Sequence, residues 1–161
     1  MKNKKDKNTF TGSLIQAGIV NGNGRMYTAE ALEKAVKDFG ELDHPMYGEL
    51  GMPENFTVNL KNVSHQVLDI KSECPKLPRK KKKALKKAGT YNTWKKSKMK
   101  LIATIKFLDT PQGKIAKKII NESVIRTAGT GEIDKNGIVQ NFKLTSCNLV
   151  PKSTDAFKNK I

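Results

Sequence analysis

Two histidines stand among 161 residues, and the first lies in the stretch Gly40-Glu41-Leu42-Asp43-His44-Pro45. Imidazole is the side chain best placed to move protons near neutral pH, since its unperturbed pKa is about 6.5. A neighbouring carboxylate can fix its tautomer and stabilise the imidazolium, so His44 among acids has the makings of an oriented general base. A capped turn with a space-filling ring would use the same residues, so this stretch alone leaves both roles open. The second histidine, His65, is too far along the chain to share a local zinc-ligand spacing with the first. Cys74 and Cys147 are too few and too separated for a disulfide framework or a four-ligand zinc site. No metal and no cofactor is expected, and a reducing cytoplasm is the simplest setting.

The elements that must position His44 can be read outward from it. Upstream, Thr28 to Gly40 has a helix signature. Thr28 is an N-cap residue, Ala31, Leu32, Ala35, Val36 and Phe39 recur at helical spacing, and Gly40 is the expected stop. Before it, Asn21-Gly22-Asn23-Gly24-Arg25 contains two Asn-Gly steps that mark a tight turn or loop. The segment from Thr9 to Val20 reads as an opening strand. Downstream, residues 56–70 alternate as one long or two short strands. Residues 100–108 read as a strand with Leu101, Ala103, Ile105 and Phe107 on one face. Pro111 opens a helix whose apolar side is expected at Ile115, Ile119 and Ile120. Residues 124–133 read as a short strand entering a Gly129-x-Gly131 turn, and 138–151 as a further strand or pair. The order lacks regular βαβ alternation, so an α+β fold with a largely antiparallel, barrel-like sheet flanked by helices is expected.

Length allows a single domain over 1–161. The hydrophobic fraction, 37%, is low for a globular chain because of one basic segment. Residues 79–100 hold one Arg, ten Lys and no acid, and residues 1–7 hold four Lys and one Asp. Those charges, +11 and +3, supply +14 of the net +16. The lysine-rich insert, bounded at 71–100, is either a solvated arm or a contact surface for nucleic acid or an acidic protein. Lys80, Lys81, Lys82, Lys83, Lys86 and Lys87 are its candidate contacts, with Tyr91 and Trp94 able to stack on bases. No long apolar run is present, so no membrane helix is expected. The basic start lacks the apolar core of a secretory signal.

Five segments in order resemble one family, the prohead maturation proteases of T-even tailed bacteriophages. They are residues 21–39, Gly40–Pro45, residues 108–114, residues 125–131 and residues 142–157. The resemblance implies a herpesvirus-protease-like β-barrel and a serine endopeptidase that cleaves scaffold and capsid-protein propeptides. It also implies residence in the host cytoplasm and then inside the procapsid, with scaffold and major capsid precursors as partners and self-association common among relatives. His44 matches the family's catalytic histidine. His65 is a looser match to a second histidine that would act as third member, with Asp69, Asp43 and Glu41 as carboxylate alternatives.

The resemblance breaks at the nucleophile. Where the family carries a serine segment, this chain reads Ile125-Arg126-Thr127-Ala128-Gly129-Thr130-Gly131, without serine. Ala128 can stand where a serine belongs; Thr127 can be the nucleophile, since a hydroxyl is activated by an adjacent base; or the chain is an inactive relative. Gly129 could present a backbone N–H to a developing oxyanion, as could Arg126 its guanidinium. The rival reading is a non-catalytic capsid-interior or DNA-binding protein that kept the fold.

Overall fold

The computed structural model describes residues 6–55 and 57–152. Most of the basic N-terminal run, Phe56 and the tail from Ser153 onward, where the resemblance ends, lie outside those residues.

Four strands form one antiparallel sheet. These are β1 (Thr9–Gln16), β2 (Met46–Glu49), β3 (Val63–Glu73) and β4 (Lys100–Phe107), in the order β1-β4-β3-β2. A second sheet pairs β5 (Ser123–Ile133) with β6 (Val139–Pro151), also antiparallel. The expected closed barrel is not formed among the described residues. The two sheets are joined by isolated contacts rather than a continuous ladder: a parallel bridge joins Leu50 to Leu149, and Gly51 N–H donates to the Leu149 carbonyl at 2.7 Å. Shortness of β2, four residues, limits how far a ladder could extend there.

Helix α1 (Ala29–Gly40) starts where its cap predicts, with Thr28 Oγ1 accepting from Ala31 N–H at 3.1 Å. Such a cap contributes about 1 kcal/mol. Leu32 and Ala35 are fully buried, so the apolar stripe faces the sheets, and burying Leu32 alone contributes about 2 kcal/mol. Gly40 is the last helical residue but keeps an ordinary φ. The chain turns at Glu41 instead, whose N–H bonds back to Lys37 and Asp38. This exit delivers Asp43 and His44 onto a bend immediately before β2.

The core gathers Leu14, Ile15, Leu32, Leu101, Ile105, Ile125 and Leu149, all 2% exposed or less. Strand β4 supplies it with the predicted face, and Ile102 on the other face is also covered. Helix α4 (Pro111–Ile119) packs differently from expectation. Its buried residues are Gly113 and Ala116, while Ile115 and Ile119 are substantially exposed. A Cβ at Gly113 would lie 2.0 Å from the Leu108 carbonyl oxygen and 2.8 Å from that of Ser64. The small residues therefore let the helix approach the sheet too closely for isoleucine to lead.

The Gly129-x-Gly131 pair is not a turn. Both residues lie inside β5, at two register shifts where the strand bulges against β6. A Cβ at Gly129 would meet the Lys143 carbonyl oxygen at 2.5 Å, so close strand approach explains the glycine. The turn itself comes later, around Asp134–Gly137, with Gly137 at φ 78°. The basic insert holds two helices, α2 (Arg79–Lys87) and α3 (Tyr91–Ser97).

Candidate functional site

Strand β5 carries residues 127–129 along the floor of a cleft of about 320 Å³. One wall is the Asn21–Tyr27 loop and the other is Met52–Asn55. The first wall is held by Asn21, whose side-chain oxygen accepts from Asn23 N–H at 2.9 Å and Arg25 N–H at 3.1 Å. Tyr27 packs edge-on to Phe142 with ring centroids 5.0 Å apart, and burial pushes its phenol pKa up. The paired Asn-Gly steps thus shape a cleft wall. Nothing in the sequence flagged Met52–Asn55 as its counterpart.

Strand alternation separates the two nucleophile candidates. Thr127 is registered with Cys147 and lies two residues from Ile125, whose partner is Leu149; Ile125, Cys147 and Leu149 are fully buried in the core. Ala128 falls on the opposite face with its partner Ser146. The ladder slips by one residue at Thr145, whose Oγ1 donates to the Ala128 carbonyl at 3.0 Å.

His44 occupies a second cavity of about 340 Å³ lined by Pro45, Tyr47, Lys143 and Thr145, among others. Thr145 is therefore the residue through which the His44 cavity and Ala128 meet. His44 Nδ1 lies 2.7 Å from Asp43 Oδ1, and Nε2 has no hydrogen-bond partner among the described residues. Their side chains are 68% and 96% exposed. The hydrogen bond from His44 holds the Asp43 carboxyl below the usual carboxylate range. In open water such a pair is weakly oriented. A polypeptide laid over it would exclude solvent and strengthen the interaction.

His65 is placed elsewhere and engaged otherwise. It is fully buried, with Nε2–H donating to the Cys147 carbonyl at 2.8 Å and Nδ1 accepting from Ser64 Oγ at 2.8 Å. Burial pushes its pKa down to about 4, so the ring is neutral at physiological pH. No hydrogen bond joins it to His44. Its two partners leave no ring nitrogen to orient another base, so the expected His44–His65 pairing is not made. Asp69 is exposed on β3 and bonded to neither histidine, and Glu41 is ion-paired at 3.8 Å with Lys37. Of the proposed third members, only Asp43 touches His44.

Arg126 does not face the cleft. Its Nη1 donates to the carbonyls of Ser13 and Leu14 at 3.2 Å and of Ile125 at 2.7 Å. It ties β5 to the bulge in β1, where register shifts between Ser13 and Ile15. Gly129 remains on the cleft floor. A buried polar chain that composition does not reveal runs behind Ala128. Asn148 Nδ2 donates to Ser146 Oγ at 2.9 Å, and Glu49 N–H donates to Asn148 Oδ1 at 2.9 Å. Asn62 Nδ2 in turn donates to Glu49 Oε1 at 3.1 Å. No group of three metal-ligating residues is found among the described residues, and no described helix is long and apolar enough to cross a membrane.

No family model and no curated protein matches the chain. Among solved structures it is similar to the bacteriophage T4 capsid assembly protease, gp21, with a TM-score of 0.62 and 24% sequence identity. The match covers 88% of this chain and 80% of that one. The chain has the fold of that protease.

Proposed function

We propose that this chain is a serine-type peptidase of phage head assembly whose nucleophile position is occupied by alanine. Its substrates are the scaffold and major capsid protein precursors, met in the host cytoplasm and then inside the procapsid. The observation that carries the reading is Thr145, whose hydroxyl donates to the Ala128 carbonyl and which also lines the His44 cavity. A serine at 128 would stand on the cleft floor, beside Thr127. In such a site His44 Nε2 takes the hydroxyl proton as the oxygen attacks the scissile carbonyl. Asp43 holds the Nδ1 proton throughout, and the proton taken up at Nε2 is delivered to the leaving amine. The Gly129 N–H is the candidate for the developing oxyanion.

Incubating capsid and scaffold precursors with the chain, Ala128→Ser and Ala128→Ser/His44→Ala tests this directly. Ala128→Ser is expected to cleave, and loss of His44 to reduce that rate by about 10³-fold or more. Cleavage by the unchanged chain that disappears in Thr127→Ala would transfer the nucleophile to Thr127. The lack of a hydroxyl at 128 also favours a second reading, a protease-fold protein with a structural role in the capsid interior. Absence of cleavage by well-folded Ala128→Ser, with precursors cut by a known protease as control, would select it.

A further inference from the structure

The α2–α3 hairpin conflicts with helix physics in a specific way. Helix α2 opens with Arg79 and Lys80–Lys83 where the macrodipole disfavours cations, and Pro78 supplies no side-chain cap. Like charges repeat at four-residue spacing in Arg79–Lys83, Lys82–Lys86 and Lys83–Lys87. Of the eleven basic residues over 79–100, Lys96 has an acidic partner, Glu30 at 2.6 Å; the other ten have none within 4 Å among the described residues. A neutralising partner would relieve the repulsion that the fold leaves in place.

Two further observations choose the partner. Tyr91 and Trp94 stack on each other at 6.2 Å, and Lys82 and Lys86 each sit 5.6 Å from the Tyr91 ring centre. These aromatic faces bind the hairpin together, so they are not open platforms for bases. The hairpin is also anchored beside the cleft. Lys96 and Ser97 pack against Gly18 and Tyr27–Glu30, and the same segment, through Arg25 and Tyr27, walls the cleft above Thr127 and Ala128. Cys74 Sγ–H donating to the Lys95 carbonyl at 3.4 Å, and buried Met99, fix the same end of α3.

We propose that the α2–α3 hairpin is a docking surface for an acidic stretch of polypeptide substrate, which it holds next to the cleft. The placement rests on reading that cleft as a peptide-binding site. The row Arg79–Lys83–Lys87, repeating every four residues, fits carboxylates repeated at the same spacing on a helical segment. Lysines act as point charges here, so recognition is by charge density rather than by a fork-shaped contact.

Binding is measured without any cleavage, so failure of the peptidase reading and failure of this one stay separate. Fluorescein-labelled poly-glutamate and a duplex DNA of matched charge are titrated onto the full chain and onto combined Arg79→Gln, Lys83→Gln and Lys87→Gln. Poly-glutamate affinity is expected to fall about tenfold or more in the variant, to weaken steeply with salt, and to exceed that of the DNA. A photo-crosslinker at the end of the poly-glutamate is expected to label Asn21–Tyr27 or Met52–Asn55. Tighter binding to DNA, affinity unchanged in the variant, or labelling confined to faces remote from the cleft would each overturn the proposal.

Discussion

The regions around His44 and His65 use the same side chain for opposite purposes. His65 is sealed between β2, β3 and β6, with both ring nitrogens occupied and solvent excluded. His44 stands on a bend at the rim, one nitrogen on a carboxylate and the other unpartnered among the described residues. Desolvation decides the first case and hydration the second. A ring that is neutral and fixed holds strands together; an exposed ring with one nitrogen unbonded is open to a substrate. What separates them is three-dimensional context, not residue type.

The contrast can be broken hardest at Gly48, which is paired with His65 across β2 and β3. A Cβ there would lie 1.9 Å from the Cys147 carbonyl oxygen and 2.2 Å from His65 Nε2. Gly48→Ala must displace β6 or the imidazole, and a loss of about 4 kcal/mol or outright misfolding is expected by urea denaturation. Next in size is the pH dependence. His65 titrates near 4 when folded and near 6.5 when unfolded, so between those values the unfolded chain binds the extra proton. The stabilisation is complete above about pH 6.5 and is lost as pH falls toward 4, a contribution of about 3 kcal/mol. Urea midpoints taken across that window should slope upward with pH. A flat profile would show that His65 is not held in its neutral form. His44→Ala, by contrast, should change stability by less than about 0.5 kcal/mol in the same assay, since it removes only an exposed pair.

The two cysteines sharpen the comparison, Cys147 within β6 and Cys74 just past the end of β3. Cys147 is fully buried and its thiol is pushed up to about 12 by burial, while Cys74 is half-buried near the hairpin. Native alkylation should modify Cys74 and spare Cys147, and denaturant should expose both. Native reaction at Cys147 would mean that β6 opens at the point where it holds His65.

Elements whose pattern is local were legible in the sequence. Thr28 caps α1, the strand period of 101–107 is met in β4, and the Asn-Gly pair becomes a loop. Long-range packing was not. Ile115 and Ile119 satisfy the helical period, yet Gly113 and Ala116 face the sheet because backbone proximity, not side-chain apolarity, sets that contact. The same reason moved Gly129 and Gly131 from an expected turn into β5. For the site, the scarcity of histidine pointed to His44 and its neighbour Asp43. It could not reveal that His65 is enclosed, or that Arg126 reaches back to Ser13 and Leu14. Glu49, Asn148 and Ser146 carry no motif, since buried polar chains form from residues distant in sequence.

Strand β6 is the last element in the described chain, and it completes nearly everything that matters. It supplies the carbonyl that His65 needs, the Thr145 hydroxyl that meets Ala128, the Asn148 that reaches Glu49, and the bridge to Leu50. The partners in β2 lie about 100 positions earlier, so closing that loop is entropically slow. During synthesis the four-stranded sheet can therefore assemble while the cleft floor is still missing its paired strand. The floor of the cleft is thus completed only with β6, after the residues of both its walls have been made.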